Sequence, residues 1–311
     1  MRSKGVWKLM KLALNDSGKF QNKGCGDRLV IFKSQMMELE KYNSYYSPVI
    51  EVDGKFYAMG QGIINTNVTK LEELHKVSTY YAITQMFDDL EFGEDIYLAT
   101  GSPIQTFENA DYKQEFIDYL KGDSKGIIEV KVDNKPYVFN LKDVLLLPEG
   151  CGVVQMYPEK FANKQVGVID WGGLQVNCMI YDNGKPLKST GFTRQLGGYI
   201  MEKGIINRLN SEGYNYQDNE MEYVISNPKP HEKDVVEFMT NKYFNDIVNE
   251  CQMMNWNIKN LELFFTGGTS ARLSKFIQSK GYEVSETAME DNVRGYGKIA
   301  KVWLQKLLSQ K

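Results

Sequence analysis

Apolar and polar residues follow two different patterns along the chain, one typical of strands and one typical of helices. Short apolar runs bounded by turn residues predict strands at residues 6–15, 28–33, 49–52, 55–59, 95–100, 126–132, 136–141, 144–147, 165–169, 173–181, 185–191 and 261–265. Apolar residues at helical spacing predict helices at residues 71–90, 112–120, 197–209, 233–252, 269–279 and 293–308. Strands and helices therefore alternate, which predicts an α/β protein with mixed sheets.

Turn residues and one polar stretch divide the chain into two halves. Residues 53–54, 133–134 and 182–184 each separate two apolar runs and predict hairpin turns. Residues 157–164 are polar and have no apolar periodicity, so we place the boundary between the halves there.

The composition is that of an ordinary globular protein of 311 residues, which excludes a disordered or fibrous chain. Lys and Arg number 37 against 40 Asp and Glu, giving a net charge of −3, so no overall positive field would hold nucleic acid directly. No run approaches the roughly 20 apolar residues of a membrane helix. Lys8 and Lys11 interrupt the apolar N-terminal run, so we predict no signal peptide.

Cysteine and histidine are too sparse for several kinds of site. The four cysteines lie far apart in sequence, which excludes a C-x-x-C motif and favours reduced thiols in a cytoplasmic protein. His75 and His231 are the two histidines of the chain, which excludes a histidine-rich metal site. We interpret each as a surface or helix-face residue.

The same short motif occurs once in each half of the chain. In both, an apolar strand ends in an aspartate, Asp16 or Asp170, and a glycine follows two residues later, Gly18 or Gly172. Backbone N–H groups in such a turn can form a nest for anionic oxygens, and an aspartate beside an anion implies a cation such as hydrated Mg²⁺. The pair predicts a polyphosphate clamp, although either motif alone is also a common way to end a strand.

Two further segments carry candidate chemistry. Gly267, Gly268 and Thr269 follow an apolar strand and open a helix, where glycines would let a flat ring lie against the backbone. Thr269 or Ser270 would equally serve only as an N-cap. Glu149 follows another apolar strand and Pro148, where a carboxylate can orient or deprotonate water. A carboxylate favoured by a helix N-terminus is the alternative for Glu149.

These residues, in this order, resemble the actin-like ATPase superfamily, and within it the bacterial plasmid-segregation actins of the ParM type. Residues 98–103 and 292–296 are similar to segments of those proteins. The resemblance implies an actin-like, duplicated ribonuclease H-like fold of two domains with mixed sheets and a nucleotide cleft between them. It implies domain I over residues 1–160 with a small inserted subdomain near 34–70, domain II over 161–291, and a C-terminal helix over 292–311 that returns to domain I.

The resemblance also implies the roles of the site residues. It assigns nucleotide binding to Asp16, Ser17, Gly18, Lys23, Gly172, Gly173, Gly197, Gly198, Gly267, Gly268 and Thr269. It assigns catalysis to Glu149, Asp170 and Asp16, and water-mediated metal binding to Asp16 and Asp170.

The function implied by the resemblance is that of a Mg²⁺-dependent ATPase, with GTP as the alternative nucleotide. Its subunits would stack head to tail into filaments, and a DNA-binding adaptor on a plasmid centromere would connect the filament to DNA. The chain itself would contact neither nucleic acid nor a membrane.

Some residues depart from the family pattern and leave other functions open. Phe20 replaces a second glycine of the first motif, and Gln175 and Asn177 replace small hydroxyl residues after the second. These departures keep a non-hydrolysing actin-like scaffold as an alternative, together with a small-molecule kinase of the same superfamily. An aspartic protease is disfavoured because Trp171, which follows Asp170, has no hydroxyl to orient a catalytic dyad.

Overall fold

The computed structural model describes residues 10–67, 69–123 and 125–309, except for the side chain of residue 219. The chain divides into two compact units. Unit 1 comprises the described residues up to Pro158 together with those from Glu290 onward, and unit 2 comprises Glu159–Met289. The domain bounds given above stay a prediction. The first part of the strand predicted at 6–15 lies outside the described residues.

Strands and helices alternate through both units. The strands are β1 (Met10–Ser17), β2 (Gln21–Cys25), β3 (Leu29–Lys33), β4 (Gln35–Leu39), β5 (Val49–Val52), β6 (Lys55–Ile64), β7 (Glu94–Ser102), β8 (Ile127–Val132), β9 (Lys135–Pro148), β10 (Gln165–Trp171), β11 (Val176–Asp182), β12 (Lys185–Pro186), β13 (Phe192–Arg194), β14 (Glu262–Thr266) and β15 (Glu283–Val284). The helices are α1 (Glu73–Met86), α2 (Ile104–Phe107), α3 (Ala110–Lys121), α4 (Cys151–Met156), α5 (Pro158–Phe161), α6 (Gly198–Ser211), α7 (Met221–Ser226), α8 (Pro230–Met253), α9 (Gly268–Arg272), α10 (Ser274–Ser279) and α11 (Asp291–Ser309).

Unit 1 is built on a mixed sheet with the strand order β3-β2-β1-β7-β9-β8-β5-β6-β4. β1 pairs with β2 in antiparallel fashion and with β7 in parallel fashion. Ile83 and Met86 of helix α1 belong to the same hydrophobic core as Ala13 and Leu98 of the sheet. Helix α11 packs on α4, where the Gly150 amide donates to Asn292 Oδ1 at 3.0 Å.

Unit 2 is built on a smaller sheet with the order β12-β11-β10-β14-β15, and β13 pairs with β11. β10 and β14 are parallel neighbours, so their carboxyl ends lie at one edge of the sheet. The core on this sheet includes the fully buried Trp171, Ile205 and Phe265, with Phe244 of α8 packed on the last of these.

Several predicted elements are shorter than the sequence indicated. The strand predicted at 173–181 begins at Val176, because the preceding residues form a turn in which Gly172 N donates to Gln175 O at 2.9 Å. The strand predicted at 185–191 ends at Pro186, because Ser189 has φ +71° and the chain turns there. The helix predicted at 269–279 is two short helices, α9 and α10.

The sequence prediction also missed some elements, among them β4 and β13. In the part of the chain that the structure describes, no helix is long and apolar enough to cross a membrane.

Candidate functional site

The first motif forms the β1–β2 hairpin of unit 1. Asp16 lies opposite Lys23 in the antiparallel register, and both are buried. Lys23 Nζ donates to Asp16 Oδ2 at 3.2 Å. Directly opposed charges stabilise a hairpin, so this pair also fixes where the aspartate carboxylate lies. The structure therefore brings together two of the residues that the resemblance assigned to phosphate and metal.

The turns of both motifs use backbone N–H groups internally. Gly18 N donates to Asp16 O at 2.9 Å, and Gly172 N donates to Gln175 O at 2.9 Å. The anion nests expected from the sequence therefore lack these two N–H groups in the structure. At Phe20, where the resemblance led us to expect a second glycine, the carbonyl accepts from Ser34 N at 3.0 Å.

Ser17 contacts a histidine that the sequence analysis did not connect to the motif. Ser17 Oγ lies 2.7 Å from His75 Nδ1. His75 is on α1, but on its buried face, with a side chain only 1% exposed. Of the two alternatives given for His75, the helix-face one is confirmed and the surface one is wrong, because this face of α1 covers the sheet. Burial, and then the charges of Lys70 and Lys19, hold the pKa of His75 well below 6.5.

Glu149 lies between β9 and α4 and forms a buried ion pair. Its amide donates to Ser102 O at 2.9 Å, which fixes the backbone after the strand. Lys70 Nζ is 2.5 Å from Glu149 Oε1 and also donates to Gly101 O at 2.9 Å. The Lys70 side chain is 1% exposed, so the carboxylate has a fixed, charged partner. Nothing in the sequence pattern around Lys70 predicted this contact.

A second buried lysine lies close to Lys70. Lys19 directly follows the first motif, and its Nζ donates to Thr69 O at 2.6 Å and lies 3.7 Å from Glu72 Oε2. Burial lowers the pKa of Lys19 to about 8, with a further lowering by Lys70, while Glu72 and Glu149 oppose the shift. Residues 69–72 thus connect the first hairpin with the Glu149 carboxylate through two lysines.

Lys19 should make the protein more stable as the pH rises from about 8 to about 10.5. Its folded-state pKa is lower than its ordinary value of 10.5, so the unfolded chain binds more protons in this range, and the free energy of unfolding increases with pH. The upper limit of the gain is about 3 kcal/mol. Denaturant unfolding of wild type and Lys19→Met at pH 7 and pH 10 measures this gain. The free energy of unfolding should rise more with pH for the wild type than for the variant.

Lys242→Met is the control for this prediction. Lys242 is exposed, and its hydrogen bond to Asp246 raises its pKa, so its contribution changes with pH in the opposite direction. The change in unfolding free energy between pH 7 and pH 10 is compared for wild type against each variant. If the wild type gains as much relative to Lys242→Met as relative to Lys19→Met, the effect does not come from buried Lys19.

The second motif brings Asp170 against the backbone of a distant segment in unit 2. Asp170 on β10 pairs with Thr266 on β14, and Gly267 follows immediately. Gly267 has φ +92°, and a Cβ atom there would lie 2.3 Å from Asp170 Oδ1 and 2.7 Å from Trp171 O. A side chain at this position would both strain the backbone and collide with the carboxylate. The glycine therefore lets β14 continue directly beside Asp170.

The turn after Asp170 also contacts the start of α6. Gly198 N donates to Gly172 O at 2.9 Å, and Tyr199 N donates to Gly173 O at 2.7 Å. A Cβ atom on Gly197 would lie 2.2 Å from Gly173 O, so the two backbone segments touch. The predicted glycines of two separate segments thus lie together.

Thr269 completes this group. Its hydroxyl donates to Gly172 O at 2.9 Å, and the N-cap of α9 is Gly267, which makes no side-chain capping bond. The N-cap alternative for Thr269 or Ser270 is therefore wrong, because both lie inside α9. Gly268 is the first residue of the same helix. The structure brings together all the predicted residues of unit 2 from three segments of the sequence.

Each of the two aspartates, taken within its own unit, offers donor chemistry that suits a hydrated magnesium ion. Asp16 belongs to unit 1 and Asp170 to unit 2, and each is a buried carboxylate at the end of a strand. Mg²⁺ prefers oxygen ligands and keeps several waters when one or two carboxylates hold it. Among the described residues, no group of three or more His, Cys, Asp or Glu side chains is arranged to hold a metal.

Comparisons with known proteins agree with the fold. Residues 15–152, less than half of the chain, match the family model of the actin like proteins N terminal domain. A comparison with curated proteins gave no match. The solved Alp12 filament structure is 26% identical, with a TM-score of 0.68, over 95% of this chain and 99% of that one.

Two further solved structures are more distant in sequence and close in fold. Ta0583, an archaeal actin homologue, is 16% identical with a TM-score of 0.77, over 94% of this chain and 99% of that one. A 15-stranded ParM filament from Clostridium botulinum is 17% identical with a TM-score of 0.75, over the same shares. The chain therefore has the two-domain actin-like fold with mixed sheets that its sequence predicted, and its resemblance to the ParM-type actin homologues is confirmed.

Proposed function

We propose that this protein is a Mg²⁺-dependent, filament-forming actin-like ATPase that segregates plasmid DNA. The filament would act on the plasmid through a DNA-binding adaptor bound at a centromere, so the chain itself contacts neither DNA nor a membrane. ATP is the proposed nucleotide, with GTP as the alternative, and the cytoplasm is the proposed location. The similarity to the Alp12 and ParM filaments supports self-assembly.

The convergence of three glycine-containing segments around Asp170 is the observation that carries this proposal. Backbone contacts at Gly267 and Gly197 leave no room for a Cβ atom, so this arrangement needs glycine for reasons of packing. A buried carboxylate surrounded by closely packed backbone supports binding of a metal-bound phosphate and the flat face of a base. The proposed nucleotide-binding residues of unit 2 are Gly172, Gly173, Gly197, Gly198, Gly267, Gly268 and Thr269.

The residues of unit 1 supply phosphate contacts and the catalytic carboxylate in this proposal. Ser17, Gly18 and Lys23 bind phosphate oxygens, and Lys23 is held by its ion pair with Asp16. Glu149 orients the attacking water and accepts its proton, with its carboxylate held by Lys70. Asp16 and Asp170 hold Mg²⁺ through water, and the bound ion would neutralise charge on the phosphate oxygens.

Assembly should require nucleotide and have a critical concentration. Head-to-tail contacts between identical subunits do not close on themselves, so they produce filaments. A specific contact needs on the order of 1,000 Å² of buried surface, and such contacts form cooperatively once several subunits meet. Pelleting and light scattering with and without Mg²⁺-ATP measure assembly, while phosphate release on the same sample measures hydrolysis.

The outcomes separate the alternatives. Pelleting above a threshold, together with phosphate release, is the expected result. Phosphate transfer to a metabolite without assembly would favour the kinase, and assembly without phosphate release would favour the non-hydrolysing scaffold. Pelleting that rises linearly from zero concentration, or that ignores nucleotide, would contradict the filament proposal.

A further inference from the structure

A buried polar layer lies between the first hairpin and α1. It consists of Asn15, Ser17, Asn22 and Thr100 on the sheet and His75, Ser78 and Thr79 on the helix, all at most 1% exposed. Register pairs Ser17 with Asn22 and Asn15 with Thr100, which places these four side chains on one face of the sheet. Asn15 Nδ2 donates to Thr79 Oγ1 at 3.0 Å, which shows that this face meets α1.

Within this layer, the imidazole of His75 has one bonded and one unbonded nitrogen. Nδ1 lies 2.7 Å from Ser17 Oγ, and Nε2 has no hydrogen-bond partner among the described residues. Burial and the nearby positive charges of Lys70 and Lys19 lower the pKa of the ring, so it is neutral and carries a single proton. Which nitrogen carries that proton decides which way the Ser17 hydrogen bond runs.

The hydrogen-bond pattern places the proton on Nδ1. A buried N–H without an acceptor is rarer than a buried acceptor without a donor, so the unbonded Nε2 is better occupied by a lone pair. With the proton on Nδ1, the ring donates to Ser17 Oγ, and the hydroxyl keeps its own hydrogen for another acceptor. With the proton on Nε2, the hydroxyl would donate to the ring and present only lone pairs to an anion.

We propose that His75 is a positioning residue of the nucleotide site: its Nδ1–H donates to Ser17 Oγ and leaves the Ser17 hydroxyl hydrogen free for a phosphate oxygen. This inference rests on the proposed function, because it takes the first hairpin as the phosphate site. It assigns a role to a residue outside every motif of the sequence. The ligand that Ser17 would contact is a phosphate group of a nucleoside triphosphate.

The tautomer of His75 can be measured directly in the whole protein. The chain has two histidines, so ¹⁵N-histidine labelling gives a spectrum of two rings, and His231→Asn assigns them. We expect protonated Nδ1 and unprotonated Nε2 for His75 in the nucleotide-free protein. A ring protonated on Nε2 would overturn the proposal, whatever the effect of any substitution.

Substitutions test whether this hydrogen bond affects nucleotide binding. Asn places its amide N–H near the position of Nδ1, so His75→Asn should bind ATP nearly as wild type does. His75→Leu removes the donor that orients the Ser17 hydroxyl, and Ser17→Ala removes the hydroxyl itself. Each should weaken ATP binding about 10-fold, because the oriented hydrogen bond from Ser17 to a charged phosphate oxygen is lost in both. The double variant should be no weaker than either single one, since the two residues act as one unit.

Ser78→Ala is the matched control. Ser78 lies one turn along the same buried face of α1, and among the described residues no hydrogen bond joins it to Ser17. The ATP affinity of Ser78→Ala should equal that of wild type in a calorimetric titration. Wild-type protein that binds no ATP would contradict the proposed function itself. Normal binding by His75→Leu beside weakened binding by Ser17→Ala would overturn the role of His75 alone.

Discussion

Glu149→Gln should hydrolyse ATP about 10²- to 10⁴-fold more slowly than the wild type while binding ATP with unchanged affinity. In the proposed mechanism, the carboxylate orients the attacking water and takes its proton, and this interaction is made chiefly in the transition state. Its loss therefore lowers turnover without weakening ground-state binding. Filaments of the variant should form with ATP and persist, because the step that loosens them is slowed.

Glutamine is the informative substitution because of Lys70. The lysine side chain is 1% exposed and its Nζ lies 2.5 Å from the glutamate. Alanine would leave this charge buried without its partner, which typically costs about 3–5 kcal/mol of stability. A lost fold would then resemble lost catalysis. Glutamine keeps an oxygen that accepts from Lys70 and removes only the negative charge and the basicity.

Phosphate release and light scattering on the same sample, with the unfolding free energy measured alongside, check this expectation. Glu250→Gln is the control. Glu250 forms another partly buried ion pair, with Arg194 Nε at 2.6 Å in unit 2, and we assign no chemistry to it. This variant should lose some stability and hydrolyse ATP normally. If Glu149→Gln behaves in the same way, the carboxylate is a structural partner of Lys70 and the catalytic assignment is wrong.

The parts of the fold that follow from local pattern could be predicted from the sequence. The α1 helix and the hairpin turn at 182–184 follow from helical spacing and turn chemistry, and both are present. The bounds of β2 could not be predicted, because its residues, with Asn22, Lys23 and Gly24 at the centre, have little strand preference. Pairing with β1 and β3 holds them extended, so tertiary contacts override local propensity.

In the candidate site, too, residues marked by a local pattern could be predicted, and residues defined by tertiary contacts could not. Asp16 and Asp170 could be found from their place at strand ends, because a repeated local motif marks them. Lys70 could not, because it precedes the predicted helix in a stretch without apolar periodicity and its contact with Glu149 spans 79 positions of the chain. His75 lies in a predicted helix, yet only the β1–β2 register reveals that Ser17 faces it.

Asp170→Asn should weaken binding of Mg²⁺-ATP by about 10- to 100-fold with little change in the fold. Asn has nearly the same volume, so it fits beside Gly267, where the present carboxylate oxygen lies 2.3 Å from the site of an added Cβ atom. It lacks the negative charge that would hold a hydrated cation. A hydrogen bond to a charged group is worth about 1.5–3 kcal/mol, which corresponds to the expected loss of affinity.

Calorimetric titrations with and without Mg²⁺ identify the cause of this loss. If Asp170 acts through the metal, wild type in EDTA should bind ATP about as weakly as Asp170→Asn does with Mg²⁺, and EDTA should weaken the variant little further. Asp182→Asn is the control, since Asp182 lies at the opposite end of the same β10–β11 hairpin, opposite Gln165, and should bind as wild type does. If Asp170→Asn binds Mg²⁺-ATP with unchanged affinity, Asp170 is not part of the site. If Asp170→Asn and Asp182→Asn lose the same affinity, the cause is damage to the hairpin and not loss of a metal contact.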